Sequence, residues 1–286
     1  MLDAVKAALV GRGVRSLGIE GNDVTVTLRA ELQRGLRRVR LRPLSGEVAA
    51  MREVKDAAEA SMIRRAVRIA EGAFKELLAG GRKSFVGRTE AQVAAEVEYR
   101  MRLSGAERAA FETIVACGPH AAMPHYRPGA TRIRRGDVVL IDWGAVVGGY
   151  ASDLTRVVFT GRIPPRIARV YEIVLRAQAA GIRAVRPGAA CGSADAAARS
   201  VIVDAGYGEA FAHGLGHGLG LEVHESPRLG AKVRQRLRTG MVVTVEPGIY
   251  LPGVGGVRIE DDVIVVPGGR RRLSTLSRRL ADMTLS

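Results

Sequence analysis

Residues 136–144 read GDVVLIDWG, and residues 240–248 read GMVVTVEPG. Both follow the frame Gly-x-Val-Val-x-(Ile/Val)-(Asp/Glu)-x-Gly, at an offset of 104 residues. Each is a β-branched run of the kind that fits a strand, and each ends on a carboxylate where apolar burial discourages one. A frame that recurs at one offset predicts a duplicated half-domain. Each copy also runs on into a hairpin. After Asp142 comes WGAVVGGYASD, with Gly148-Gly149 as its turn signal, and after Glu246 comes PGIYLPGVGGVRIE, with Pro252-Gly253 as the turn. A hairpin centred between Val147 and Gly148 sets Asp142 opposite Asp153. One centred on Gly253 sets Glu246 opposite Glu260. Like charges facing each other across strands at about 5 Å are destabilising, and this chain does it twice on apolar strands. A shared proton could serve one such pair. Four carboxylates from two hairpins point instead to two divalent cations.

A second stretch, HGLGHGLGLEVHE at residues 213–225, carries three histidines. The other two, His120 and His125, lie in CGPHAAMPHY at residues 117–126. Glycines at 214, 216, 218 and 220 argue against a helix, so His213 and His217 are not a helical zinc pair. Leu219 stands where a dinucleotide fingerprint needs its third glycine, and no Lys-Ser/Thr follows for a phosphate loop. An extended strand remains, with His213 and His217 on one face. One imidazole beside four carboxylates suits manganese, cobalt, iron or zinc better than calcium.

The rest of the chain sets bounds. Its 286 residues, 47% of them apolar, suffice for one large domain and a small one. No run of 18 apolar residues predicts a membrane span, and the start MLDAVKAALVGRG lacks a signal-peptide pattern. Cys117 and Cys191 are too few for a disulfide framework and read as buried reduced thiols, which leads us to expect a cytoplasmic protein. The net charge is +15, but only five of the 44 basic residues are lysines and Asn22 is the sole asparagine. The arginines are scattered and aromatics make up only 4%, so general basicity of a thermophilic or GC-rich source fits better than a nucleic-acid partner. Residues 1–44 read as a small α/β segment, with strands at 15–20 and 37–42 around a helical VTLRAELQRGL, and 45–286 as the main domain. In the latter, Ser45 is the expected N-cap of a long helix ending at Gly80-Gly81, Thr89 starts a second, and further helices fall near 165–183 and 192–205. The class is α+β.

Five motifs in order, MREVKDAAE, CGPHAAMPHY, IDWGAVVGGYASDLTR, HGLGHGLGLEVHESP and EPGIYLPGVGGVRIEDDVIV, resemble the pita-bread metallopeptidases of family M24, which include prolidase, aminopeptidase P and methionine aminopeptidase. The resemblance covers about residues 45–270. It implies the pita-bread (creatinase/aminopeptidase) fold with pseudo-twofold halves, here behind an N-terminal segment shorter than the family's usual domain. It implies that Asp142, Asp153, His217, Glu246 and Glu260 ligate two divalent metals, Asp153 and Glu260 spanning both. His125, His213 and His224 match substrate-binding and proton-handling histidines, and Arg258 an arginine supporting the ligands. GLEVHE followed by SPR, together with PHY at 124–126, resembles the Xaa-Pro branch, while His120 stands where asparagine is usual. The implied activity is hydrolysis of the bond before proline in a small peptide. Metal-activated water is the nucleophile, His224 or His213 stabilises the oxyanion, and Glu246 shuttles the proton. Arg228 offers a bidentate grip on a substrate carboxylate. An Xaa-Pro dipeptidase is the leading reading. An Xaa-Pro aminopeptidase, a methionine aminopeptidase and a metal-free nucleic-acid module on the same fold are the alternatives. A homodimer is the assembly the resemblance suggests.

Overall fold

The computed structural model describes residues 1–285, which separate into two compact units at Arg52/Glu53. In the smaller unit a helix, Leu2–Leu9, precedes strand Ser16–Glu20, helix Val26–Gly35 and strand Arg40–Leu44. The two strands are parallel, with Ser16 opposite Arg40. Parallel neighbours need a crossover, and the Val26–Gly35 helix supplies it. Thr25 caps that helix by accepting from the Leu28 amide at 3.2 Å. Ile19, Leu32, Leu36 and Leu41 form a small core of their own.

In the larger unit the first long helix is Ala57–Ala79, and it does not begin at Ser45 as expected. The short helix Glu47–Arg52 that follows Ser45 ends the smaller unit, and Asp56 opens the long helix through a capping box with Glu59, which is the stronger start signal. Ile63, Val67, Ala70, Phe74 and Leu77 recur at steps of four and three, so they form one stripe, and all are fully buried. Helix Glu90–Leu103 starts from a second capping box, Thr89 with Gln92. Helices Pro165–Ala184 and Cys191–Asp204 follow further on and pack as a pair, as the first two do. Among the described residues no helix is long and apolar enough to cross a membrane. Cys117 and Cys191 are both buried and free.

Each helix pair leads into one hairpin. In the first, Val138–Trp143 pairs antiparallel with Leu154–Phe159, and Ala145–Val147 with Tyr150–Ala151. Gly148 and Gly149 form the turn between Val147 and Tyr150, both with positive φ (59° and 79°). That is the two-residue turn whose twist matches the strands, and it demands glycine-like residues at both places. The hairpin therefore centres one residue later than the expected point between Val147 and Gly148. Asp142 consequently faces Thr155, not Asp153. Asp153 lies one diagonal step away on the same face.

In the second hairpin Val242–Val245 pairs with Asp261–Val266, and Gly248–Leu251 with Gly255–Arg258. Gly253 sits at the turn with φ 74°. The registers of both paired stretches (Val242 with Ile264, Gly248 with Arg258) agree, so Glu246 and Glu260 face each other in the gap between them, as expected. A further strand, Gly216–Gly218, pairs Gly218 with Val243 and is itself paired with Glu225–Leu229. Trp143, next to Asp142, is fully buried and ties the first hairpin to the helix stripe. Its ring stacks on Phe74 at 4.5 Å, and its Nε1 donates to the Ala70 carbonyl at 2.9 Å.

Candidate metal centre

Regular pairing lapses at three of the four carboxylates, Asp142 alone standing within a paired strand. Asp153 lies between strand segments ending at Ala151 and starting at Leu154, Glu246 between Val245 and Gly248, and Glu260 between Arg258 and Asp261. Close backbone packing keeps the floor tight. A Cβ on Gly144 would fall 1.9 Å from the Ser152 carbonyl oxygen, and one on Gly216 would fall 2.2 Å from that of Thr244. Asp142, Asp153 and Glu260 are buried, at 9%, 5% and 1% exposure, and the Glu246 side chain keeps 16%. Carboxylate oxygens of Asp153 and Glu260 and a ring nitrogen of His217 lie within 4.8 Å of one another. Glu246 Oε1 is 3.3 Å from His217 Nε2, and Asp153 Oδ2 is 3.7 Å from it. The fold thus gathers all five residues that the resemblance named, with Asp142 joined to the rest through Arg258 and Thr155.

Arg258 is 3% exposed and reaches three partners. Nη2 donates to Asp142 Oδ2 at 2.5 Å, Nε to Thr155 Oγ1 at 3.0 Å and Nη1 to the Tyr250 hydroxyl at 2.9 Å. Thr155 passes its own proton on, donating to Glu260 Oε2 at 2.6 Å. One fixed cation cannot offset four acids. Burial, followed by repulsion from neighbouring carboxylates, pushes Asp153 and Glu260 well above the usual carboxyl range; Asp142 is raised too, by burial first, against the pull of Arg258. Burial also pushes Glu246 upward, but the hydrogen bond and charge of His217 outweigh it and bring the group down to about 2.

The site fits divalent cations on two observations. Asp142 Oδ1, Asp153 Oδ1 and Glu260 Oε1 are buried without any hydrogen-bond partner, which native structures rarely tolerate for a neighbour-poor oxygen. The tautomer of His217 is the second. Its Nδ1 lies 3.0 Å from the Gly218 carbonyl, which can only accept, so Nδ1 carries the proton. Burial opposes a charge on His217, but the hydrogen bond and charge of Glu246 outweigh it and raise its pKa, so without a cation Nε2 shares a proton with Glu246. A cation taking that proton's place would meet the Nε2 lone pair beside Asp153 and Glu246. A backbone-anchored imidazole aiming its other nitrogen among carboxylates is the arrangement of a metal-ligating histidine.

His213 obeys the same logic with a different result. Its Nδ1 faces the Gly214 carbonyl at 2.7 Å, so Nε2 accepts from the Tyr250 hydroxyl at 2.9 Å, which in turn accepts from Arg258. Burial lowers its pKa, which favours this neutral form. His224 is exposed, with its ring 4.3 Å from that of His217 in a T-shaped contact, and burial then His217 lower its pKa. His125 is exposed. Neither His125 nor His224 makes a ring hydrogen bond among the described residues. Arg228 is exposed on Glu225–Leu229, directly across from His217, and its charge also acts on His224. The expected single strand through 213–220 is shorter, however, and only Gly216–Gly218 is paired.

Four residues at the centre escaped the sequence reading. Thr155 and Tyr250 are described above. Thr244 Oγ1 accepts from the His217 amide at 3.0 Å and donates to Glu246 Oε1 at 3.1 Å. Asp262 Oδ2 accepts from the Asp153 amide at 3.0 Å, while its buried Oδ1 has no partner and burial raises its pKa well above normal. Three of them sit two positions from a ligand: Thr155 from Asp153, Thr244 from Glu246 and Asp262 from Glu260. Side chains two apart on a strand share a face, which is the signal that would have found them.

Comparison with known proteins shows the family. The model of metallopeptidase family M24 matches residues 61–267. An Xaa-Pro dipeptidase of Pyrococcus horikoshii is 41% identical over 268 residues, covering 94% of this chain and 75% of the relative. Among solved structures, the Xaa-Pro dipeptidase from Bacillus anthracis superposes with a TM-score of 0.93 at 37% identity, covering 99% of this chain and 78% of that one. The X-Pro aminopeptidase from Thermotoga maritima MSB8 gives 0.92 at 39% identity, with 97% and 78% covered. The family match spans most of the chain, including all five residues gathered at the centre, and the chain belongs to metallopeptidase family M24.

Proposed function

We propose that the protein hydrolyses the peptide bond between an N-terminal residue and proline, acting as a dinuclear metal-dependent Xaa-Pro dipeptidase. The observation that carries this reading is the buried set Asp142, Asp153, His217, Glu246 and Glu260, three of whose oxygens lack partners. The names of its relatives support the substrate class: an Xaa-Pro dipeptidase at 41% identity, and solved structures of an Xaa-Pro dipeptidase and an X-Pro aminopeptidase. The five residues would hold two divalent cations, with the imidazole favouring manganese, cobalt, iron or zinc. When bound, such cations polarise the scissile carbonyl and make a water acidic enough to attack it.

The chain's own groups divide the remaining work. Glu246, the least buried of the four carboxylates, takes the proton of the attacking water and hands it to the leaving proline nitrogen. His224 is exposed and its neutral ring still has one N–H, so it stabilises the oxyanion. His213 has both ring nitrogens engaged and acts by steadying Tyr250 and Arg258. His125 holds the peptide beside them. A duplicated origin of the two halves is supported by the registers. Asp142 faces Thr155 as Glu246 faces Glu260, and Gly144 and Gly248 stand at matching places opposite Asp153 and Arg258.

Substrate length is where dipeptidase and aminopeptidase part. Arg228, exposed across from His217, offers a planar grip for the free carboxylate that follows proline in a dipeptide. The test compares kcat/KM for an Xaa-Pro dipeptide, its amide and a tripeptide with proline second, before and after chelation. Chelated protein should be inactive, and manganese or cobalt should restore it. The dipeptide should be preferred, and Arg228→Ala should cut its kcat/KM by about 5–30-fold, more than a surface pair contributes, while sparing the tripeptide. Faster tripeptide cleavage, unchanged in Arg228→Ala, assigns the protein to the aminopeptidases. Full activity in metal-free protein overturns the metallopeptidase reading.

A further inference from the structure

One buried carboxylate outside the metal centre gathers an entire loop. Glu90 is the first residue of helix Glu90–Leu103 and is fully buried. Its Oε1 accepts from the Cys117 amide at 2.9 Å and lies 2.9 Å from His120 Nδ1. Its Oε2 accepts from the Tyr126 hydroxyl at 2.7 Å and from the Gly129 amide at 3.3 Å. The four contacts span residues 117–129, a segment whose only regular structure after Cys117 is the short turn Gly118–Ala122. His120 stacks on Tyr126 at 4.4 Å, so two of the four anchors also brace each other. The backbone adds two more ties, Ala91 N to the Gly129 carbonyl at 3.1 Å and Glu90 N to that of Thr131 at 3.0 Å. The helix N-terminus favours the negative charge that all these donors address.

Glu90, Cys117 and His120 also bring an oxygen, a sulfur and a nitrogen within 4.8 Å, a donor set that zinc could use. The hydrogen bonds argue otherwise. Both carboxylate oxygens are already filled by N–H and O–H groups, and burial, then Glu90 beside it, pushes the Cys117 thiol up to about 12, so it keeps its proton. The cluster is a clamp. What the clamp holds is the exposed His125, adjacent to Tyr126. An exposed side chain on an irregular loop has no packing to place it, so its position depends on how the loop is anchored.

We propose that Glu90 is a positioning residue for peptide hydrolysis, fixing the 117–129 loop so that His125 meets the substrate. This rests on the peptidase reading only for the role of His125; the clamp itself is readable without turnover. Glu90→Gln keeps the shape but sets an amide NH2 against N–H and O–H donors, so half the clamp opens. In metal-loaded enzyme its kcat/KM on an Xaa-Pro dipeptide should fall about 10–100-fold, the scale on which a misplacement near 1 Å acts, with metal content unchanged. The decisive measurement is a cycle with His125→Ala: Glu90→Gln should cost almost nothing further in that background. Hydrogen exchange should quicken at residues 117–131 in Glu90→Gln and stay as in the parent protein elsewhere. Tyr126→Phe, which removes a single anchor, should show the same pattern several-fold weaker and guards against poor folding of Glu90→Gln. Equal losses with and without His125, or exchange in the loop unaltered by Glu90→Gln, overturns the proposal. Faster loop exchange in a protein that never cleaves Xaa-Pro peptides would instead retire the peptidase reading and leave the clamp standing.

Discussion

His217→Ala is expected to abolish turnover while leaving the fold in place. His217 is the single nitrogen donor among the five residues at the centre, and its Nδ1 bond to Gly218 aims Nε2 at Asp153 and Glu246. Removing the ring takes away the one neutral donor and leaves an acid cluster with fewer reasons to hold a cation. Loss of a group one step behind a metal ligand costs about 10–100-fold, so loss of the ligand itself should cost on the order of 10³-fold or more in kcat/KM. The fold should survive because the strand beneath is secured by backbone and not by the imidazole. The His217 amide still donates to Thr244 Oγ1, and Gly218 still pairs with Val243. Circular dichroism and thermal unfolding of chelated samples should therefore match the parent, while metal analysis shows reduced content. Near-normal cleavage of an Xaa-Pro dipeptide by His217→Ala would remove this residue from the ligand set.

The centre was legible from sequence to the extent that its residues look misplaced there. A carboxylate at the end of a Val-Val run is costly, and two such runs in one frame are hard to explain without a cation. The Glu246–Glu260 register was readable because Gly253 sits at the turn and little else competes for the role. The Asp142 register was misjudged because Val147, Gly148 and Gly149 allow two centres one residue apart. Positive φ at both central places selects Gly148-Gly149, the pair named as the turn signal, over a pair that includes Val147, so the later centre follows from residue type once the turn geometry is known. Thr155, Thr244 and Asp262 escaped because they break no local rule. A threonine is at home in a strand, and Asp262 follows another acid. Their roles come from which atoms lie within 3 Å or so in space, and only the same-face spacing hinted at it. Ser45 misled for the converse reason, since it is a good cap residue in front of a helix that stops at Arg52, whereas Asp56 and Glu59 cap each other. Glu90 was invisible because its partners lie 27 to 39 residues away.

Arg156→Met should cost about 3–5 kcal/mol of stability, the range for a buried ion pair broken from one side. Arg156 is completely buried and follows Thr155 on the opposite face of Leu154–Phe159, so the same strand serves the centre with one side chain and the scaffold with the next. Its Nη2 donates to Asp261 Oδ1 at 2.7 Å, Nη1 to the carbonyls of Glu260 and Thr155 at 2.5 and 2.9 Å, and Nε to that of Ser277 at 3.0 Å. Methionine fills much of the volume but satisfies none of these acceptors. Two effects then compete. Asp261 keeps Gln178 at 3.0 Å and Arg272 at 3.3 Å, which limits the loss from its own charge. Four carbonyls, those of Thr155, Glu260, Leu276 and Ser277, meanwhile lose a charged donor, and only that of Thr155 keeps another, the Glu260 amide at 3.2 Å. Each of the rest costs about 1–3 kcal/mol if nothing replaces the donor. The carbonyls outnumber the compensated carboxylate, so the loss should not fall to the bottom of a surface pair's range. For a unit of this size each kcal/mol shifts Tm by roughly 2–4 °C, which puts the expected drop near 10 °C. The measurement belongs in chelator, because cations bound only by the folded state would mask it by mass action. Arg272→Met, whose side chain keeps 28% exposure and which gives Asp261 only one of several partners, should lose about 1 kcal/mol or less. An Arg156→Met loss no larger than that of Arg272→Met would mean that the carbonyls find other donors and that Arg156 does not hold the two hairpins in register.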